Sequence, residues 1–316
     1  MRALLVVNPK ATTTSERTRD VIVRALRSEV DLSVASTHRR GHAVALARAA
    51  AEDGFDVVVT LGGDGTVNEA VNGLMTSTPA METLPGAAAD RLPALAVVPL
   101  GSTNVFARAV GLPPQWPEAT SVLLEGLRTG RFRTVGLGRA DGRYFTFCAG
   151  LGLDAAVIRQ VERARLRGRR STVGLYLRSM VSEFFIGMDR RHPAIRLERA
   201  GEPVATELAT VVVQNTAPWT FIGERAINPN PEASFDLGLD VMALRQLHVP
   251  STTRTLAQVA ASRPDPRGRQ LVRLHDLSEF TLSATQPQAF QLDGDYLGER
   301  LKVRFAAVRE ALRVVF

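Results

Sequence analysis

Residues 57–70 read Val-Val-Val-Thr-Leu-Gly-Gly-Asp-Gly-Thr-Val-Asn-Glu-Ala. A short β-branched apolar run breaks into a glycine cluster around one aspartate and resumes in residues compatible with a helix. That order of properties prescribes strand, turn, helix. Gly62, Gly63 and Gly65 leave backbone N–H groups unshielded and admit positive φ, and Thr66 suits the first turn of the helix that follows. Amides converging on a helix N terminus attract anions, phosphate foremost. Asp64 is the anomaly. A carboxylate inside a phosphate cradle repels the ligand unless a metal ion or an electrostatic task accounts for it. The alternative is an ordinary tight turn carrying a surface aspartate, and the rest of the chain has to decide.

Similar units surround this stretch. Strands are expected at 2–7, 30–36, 56–61 and 94–100, and helices at 14–27, 41–51, 66–75, from Gly101 to 110, and at 117–128. A Pro/Ala/Gly-rich loop is expected at 76–92. Strands and helices alternating at this spacing predict a doubly wound parallel sheet, in which ligands bind beyond the carboxyl ends of the strands. Asn8-Pro9, Thr37, Gly62–Thr66 and Gly101–Asn104 each follow a strand directly, which favours the cradle over the bare turn. From about Arg131 short strands dominate (143–149, 194–199, 206–214, 237–244, 279–284, 287–292 and 300–308). Helical insertions fall near 152–166, 171–187 and 250–261. The second half is therefore expected to be an antiparallel β-sandwich. The boundaries drawn are 1–133 for the α/β domain and 134–308 for the second, with a final strand within 309–316 returning to the first.

The length of 316 residues makes two domains the default. Apolar content of 45% and charged content of 22% describe an ordinary globular protein. No apolar run approaches the ~18–20 residues that span a bilayer, and the opening Ala3–Val7 run is too short for a signal-peptide core. Cys148, the single cysteine, excludes an internal disulfide and fits a reducing cytosol. The net charge of +7 fits nucleic acid, an anionic membrane or phosphorylated ligands.

Several motifs, in order, resemble the diacylglycerol kinase catalytic-domain family, which includes bacterial lipid kinases and sphingosine kinases. They are Val7-Asn8-Pro9, Gly62–Glu69, Pro99–Arg108 with Gly111-Leu112-Pro113, Phe147–Ala155, Ala233–Val241 and Gln291–Asp295. Gly-Gly-Asp-Gly alone is shared with NAD kinases and 6-phosphofructokinases; the later motifs separate those cases. The resemblance implies an NAD kinase-like first domain and ATP-dependent phosphorylation of a lipid hydroxyl, of diacylglycerol or sphingoid-base type. By motif position it implies ATP contacts at Asn8, Pro9, Lys10, Ala11, Thr12 and Thr37, at Gly62, Gly63, Asp64, Gly65, Thr66, Val67 and Asn68, and at Ser102 and Asn104. It implies a general base at Asp295 and a structural magnesium site at Asp236 with the carbonyls of Ala233 and Gly238.

These roles are physically coherent. Phosphoryl transfer asks mainly for positioning and charge neutralisation. Magnesium prefers few carboxylates plus substrate phosphates, so Asp64 can organise a Mg2+ ion. A lipid hydroxyl is a weak nucleophile, and a carboxylate that accepts its proton helps. Asp293 and Asp295, two apart, would share one face of a strand. The alternative is a hairpin turn with two solvated aspartates. The chain also departs from the family pattern. The base is usually glutamate. Val105 and Gly136 stand where other members carry acids that support Asp64, and Phe235-Asp236-Leu237 replaces the usual Asp-Asp-Gly.

Arginines at 159, 163, 165, 167, 169, 170 and 178, followed by Tyr176, Leu177, Met180, Phe184, Phe185 and Ile186, suit an anionic bilayer surface. The alternative is a solvated face on a core-packed helix. The expected partners are a lipid substrate and that membrane, with the protein cytoplasmic and peripheral on the inner face. The cluster lacks interleaved stacking aromatics, so no nucleic-acid partner is expected. The oligomeric state is left open, a homodimer included. Two other classes compete: a soluble NAD kinase-like phosphotransferase, and a non-catalytic nucleotide- or lipid-binding homologue.

Overall fold

The computed structural model describes residues 1–9, 11, 15–77, 89–167, 175, 178–179, 182–183 and 193–316. These form two compact units, Met1–Leu137 with Val308–Phe316, and Gly138–Ala307.

The first unit is built on β1 (Arg2–Val7), β2 (Asp31–Ser36), β3 (Val57–Gly62) and β4 (Ala94–Pro99), with α1 (Glu16–Arg27), α2 (His42–Glu52), α3 (Asp64–Met75), α4 (Val105–Ala109) and α5 (Trp116–Thr129). The strands pair in parallel in the order β2-β1-β3-β4. Every residue of β3 and β4 is buried, as expected of parallel strands covered on both faces, where continuous Val/Leu/Ala runs replace alternation. Each fully buried Val or Leu there contributes about 1.5–3 kcal/mol of transfer free energy. Ser15 starts α1, its hydroxyl accepting from the Thr18 amide at 3.0 Å. The chain runs from β1 outward to β2, then back across β1 to β3. The order therefore reverses between β1 and β3, the position at which such sheets open a ligand crevice.

The second unit is antiparallel. It contains β6 (Arg143–Phe145), β7 (Cys148–Gly152), β8 (Ile195–Glu198), β9 (Ala205–Leu208), β10 (Thr210–Gln214), β13 (Leu239–Leu244), β14 (Leu271–Leu277) and β15 (Glu279–Leu292). The small hairpin of β11 (Thr220–Ile222) and β12 (Arg225–Ile227) stands apart, and α6 (Leu153–Leu166) and α7 (Val249–Val259) are its helices. Strand order is β14-β13-β10-β7-β15-β16, where β16 is Asp295–Val315, with β8 on β15 and β9 on β8. Its core gathers Phe145, Leu197, Val211, Val241, Phe280, Leu282, Val303 and Phe305, and the Phe280 and Phe305 rings stack at 5.0 Å.

The chain passes from one unit to the other within β5 (Phe132–Ala140) and β16 (Asp295–Val315). The end of β16 lies parallel to β4, with Val314 opposite Leu95. Several expectations need correcting. The strands expected at 279–284 and 287–292 are one strand with a register shift between Ser283 and Gln288, because Thr285-Gln286-Pro287 interrupts the apolar pattern without ending the pairing. The strand expected at 300–308 and the final strand expected within 309–316 are likewise one. The expected strands 143–149 and 206–214 each split in two, whereas β5, β14 and the β11–β12 hairpin were not anticipated. The expected helix over 171–187 falls largely outside the described residues.

Candidate active site

The loop after β3 meets the loop after β4 backbone to backbone. A Cβ on Gly63 would stand 3.0 Å from the Gly101 Cα, and one on Gly101 would stand 2.6 Å from the Gly63 Cα. Only a pair of glycines admits this approach, which any side chain would block. The two strands hold the loops in step, the Leu100 amide donating to the Gly62 carbonyl at 2.9 Å. Asn104 folds its own loop back. Its Oδ1 accepts from the Gly101 amide at 2.8 Å and its Nδ2 donates to the Gly101 carbonyl at 3.0 Å. The β1 loop joins at the switch point, the Asn8 amide donating to the Leu61 carbonyl at 3.0 Å and its Nδ2 to the Thr66 hydroxyl at 3.1 Å.

Asp64 is the first residue of α3, two positions earlier than the expected start of that helix. Its carboxylate receives the amides that open α4, Val105 at 3.0 Å and Phe106 at 3.1 Å. Glu69, one turn further along α3, does the same for α2, taking the amides of Gly41 at 2.7 Å and Ala43 at 3.1 Å. An anion at a helix N terminus satisfies amides with no intrahelical partner and complements the helix dipole. So the electrostatic task that Asp64 seemed to lack exists: it ties α3 to α4. The start of α3 carries no side-chain cap, which suits an anionic ligand there.

In the second unit the turn between β15 and β16 is Asp293-Gly294, with φ of 48° and 80° and Leu292 opposite Asp295. Positive φ at both central residues is the type I′ turn, for which Asp-Gly is a preferred pair. Asp293 and Asp295 therefore do not lie on one face of a strand, as the spacing suggested. Asp293 is the turn. Its buried carboxylate accepts from the amides of Thr146 at 2.7 Å, Phe147 at 3.0 Å and Cys148 at 3.1 Å, and from the Thr146 hydroxyl at 2.9 Å. Asp295 opens β16 and is half-buried.

Asp154, in the first turn of α6, accepts from Gln291 Nε2 at 2.7 Å. Removal from water pushes its carboxyl up to about 6, with the Gln291 hydrogen bond pulling the other way. Asp240 is buried and accepts from His275 Nδ1 at 2.9 Å and from the Asp276 amide at 3.0 Å. That bond raises the His275 pKa above its ordinary value.

The structure brings together Asn8, Gly62, Gly63, Asp64, Gly65, Thr66 and Asn104, with Ser102 exposed beside them; Pro9, Ala11 and Thr37 continue the same row of strand ends. Val67 and Asn68 face inward and are buried. Lys10 and Thr12 lie outside the described residues. At the expected structural metal site Asp236 is exposed, the Ala233 carbonyl accepts from the Ala217 amide at 3.0 Å, and the Gly238 amide donates to Asp276 Oδ1 at 2.6 Å. Among the described residues no group of three or more His, Cys, Asp or Glu side chains could hold a metal ion. In the arginine-rich segment, Arg169, Arg170 and all six apolar residues named above lie outside the described residues. No described helix is long and apolar enough to cross a membrane. Sequence reasoning missed the capping role of Glu69 and the Asp154–Gln291 pair. An acid in the first helical turn after a glycine-rich strand was the available signal for the second.

A parallel sheet with a glycine turn at its switch point, joined to an antiparallel unit, defines an NAD kinase-like α/β protein with a strand-rich second half. The fold matches that of a putative diacylglycerol kinase from Bacillus anthracis, with a TM-score of 0.76 at 20% identity over 100% of this chain and 96% of that one. It matches more loosely an NAD kinase from Archaeoglobus fulgidus solved in complex with ATP, with a TM-score of 0.51 at 11% identity over 100% of this chain and 94% of that one. Residues 2–140 match the profile of the diacylglycerol kinase catalytic domain, so the first half of the chain is similar to that family. In sequence it is 26% identical to a diacylglycerol kinase of Bacillus subtilis, over 94% of this chain and 90% of the relative.

Proposed function

We propose that the protein is a lipid kinase that transfers the γ-phosphoryl group of ATP to a lipid hydroxyl of diacylglycerol or sphingoid-base type. The observation that carries this reading is the bare contact of Gly63 with Gly101, beside the switch point. It leaves backbone rather than side chains facing the crevice, at the start of a helix with no side-chain cap. Phosphates are held by such amides. Asp64 keeps the β4 loop and α4 in register with that cradle. A magnesium ion, when bound, neutralises phosphate charge. The residues fit it only in part, because Asp64 would be its one carboxylate from this loop and nucleotide phosphates would complete its shell.

In the second unit Asp295 accepts the proton of the acceptor hydroxyl as its oxygen attacks the γ-phosphorus; ADP leaves with the bridging oxygen. Residues Gly138–Ala307 would carry the lipid, and the arginines of 159–178 would meet an anionic membrane surface. The test is [γ-32P]ATP and magnesium with vesicles containing diacylglycerol, sphingosine, ceramide or monoacylglycerol, and with NAD in parallel. Label is expected in a lipid. Label in NADP alone would overturn the reading in favour of a soluble NAD kinase, and ATP binding without transfer to any acceptor would make the chain a binding protein.

A further inference from the structure

The turn that presents Asp295 is fastened from two sides. Asp293 fastens one side to residues 146–148. On the other, the Gln291 amide spans a gap: its Oε1 accepts from the Gly294 amide at 2.9 Å, and its Nε2 donates to Asp154 Oδ2 at 2.7 Å. A carboxylate accepts only, so Asp154 dictates which end of the Gln291 amide faces the turn. Reversal would set an amide oxygen against a carboxylate and an NH2 against an N–H. Gly150 makes the arrangement possible, because a Cβ there would stand 2.0 Å from Asp154 Oδ2. Helix α6 adds two ties to β16, on the other side of the turn: Glu162 accepts from the Tyr296 amide at 3.4 Å, and Arg159 donates to Glu299 at 3.1 Å. Ala155 and Ala156 of α6 pack with Ala289 and Tyr296. Holding a half-buried carboxyl against one neutral amide is unfavourable, as its pKa raised to about 6 reflects. A fold tolerates such a group where its geometry serves something.

We propose that Asp154 is a positioning residue for the phosphoryl-transfer reaction, acting through the Gln291 amide to set the turn that presents Asp295. This rests on the reading of Asp295 as the base. In this role Asp154 needs no contact with the substrate. It fixes the Gly294 amide, and with it the backbone from which the Asp295 side chain leaves. A displacement of about 1 Å at a reacting group costs on the order of a hundredfold in rate.

The test is a kinetic cycle on the full chain, using the lipid that takes label in the panel above, together with hydrogen–deuterium exchange across 291–297. Asp154→Ala is expected to lower kcat by roughly 10- to 100-fold while KM for ATP moves less than about twofold, because the loss is one of orientation. Asp154→Asn keeps an acceptor for Gln291 and is expected to restore most of that kcat. The amides of 294–296 should exchange at least about tenfold faster in Asp154→Ala and in Gln291→Ala, with β1–β4 unchanged. On an Asp295→Asn background, Asp154→Ala should cost less than about threefold more, since residues acting as one unit are not additive. Unchanged exchange in both variants overturns the proposal, as does an undiminished Asp154→Ala effect on the Asp295→Asn background. If Asp154→Ala does not fold, Gln291→Ala decides by the same two readouts. Wild-type turnover in Asp295→Asn alone would instead sink the base assignment, leaving the exchange result to report on the fastening itself.

Discussion

In the parallel unit, Asp64 and Glu69 sit within two turns of each other on α3, and each takes two amides at the start of a neighbouring helix. In the antiparallel unit, Asp293 takes three amides and a hydroxyl from a loop almost half the chain away in sequence, and Asp154 reaches β15 from α6. For Asp64, Glu69 and Asp293 the chemistry is the same, a carboxylate gathering backbone N–H groups that would otherwise go without a partner, while Asp154 accepts from a side-chain amide. The setting differs. Asp64 and Glu69 are half-buried at strand and helix ends, whereas Asp293 is 6% exposed. A site in a parallel sheet is assembled from consecutive loop residues, each delivered to the same edge by the topology. A site in an antiparallel sheet is assembled from whatever the pairing brings together.

That difference yields predictions of decreasing size. Asp293→Ala removes a buried acceptor from four donors and should destabilise the second unit by about 3–5 kcal/mol, read by urea unfolding. A loss below about 1 kcal/mol would mean the loop rearranges and the fastening is dispensable. Asp64→Ala and Glu69→Ala should each cost about 1–2 kcal/mol as lost caps. They should part company in turnover: Asp64→Ala falls by about two orders of magnitude, whereas Glu69→Ala stays within a few-fold. Equal turnover losses would reduce Asp64 to a second Glu69, a cap without a role in transfer.

The smallest effect concerns His275. The Asp240 hydrogen bond raises its pKa, with the nearby charges of Asp240, Glu232 and Asp276 acting in the same direction and burial opposing. The folded protein therefore holds that proton more tightly than the unfolded chain does. The stabilisation is complete below about 6.5, the ordinary value, and is lost as pH rises through the raised one. Thermal melts of wild type and His275→Gln from pH 5.5 to 8 should converge as pH increases. A gap that widens with pH would contradict the pairing.

The same contrast governs what the sequence made legible. Elements of the parallel unit fall within a residue or two of their expected bounds, except α4, which starts at Val105 and not at Gly101, because continuous Val/Leu/Ala runs and Ala-rich helices leave few alternatives, and the strand-end loops follow from topology alone. In the second unit β14, Leu-Val-Arg-Leu-His-Asp-Leu, and β5, broken by Gly136 and Gly138, carry no clear alternation. The pairing that makes β14 a strand lies with β13, across an intervening helix, and β5 pairs with β16 as well as with the adjacent β6. The Asp-Gly turn was visible as a hairpin, yet the positive φ that turns Asp293 toward residues 146–148 could not be read from spacing two residues apart. Gln291 looked like one more strand residue, since nothing local connects it to Asp154.

The most direct test separates binding from transfer in Asp295→Asn. ATP affinity, which the glycine loops of the first unit would set, should match wild type, while label transfer from [γ-32P]ATP to lipid should fall by about a hundredfold or more. Transfer near the wild-type rate with ATP binding intact would contradict the assignment of proton acceptance to the β15–β16 turn.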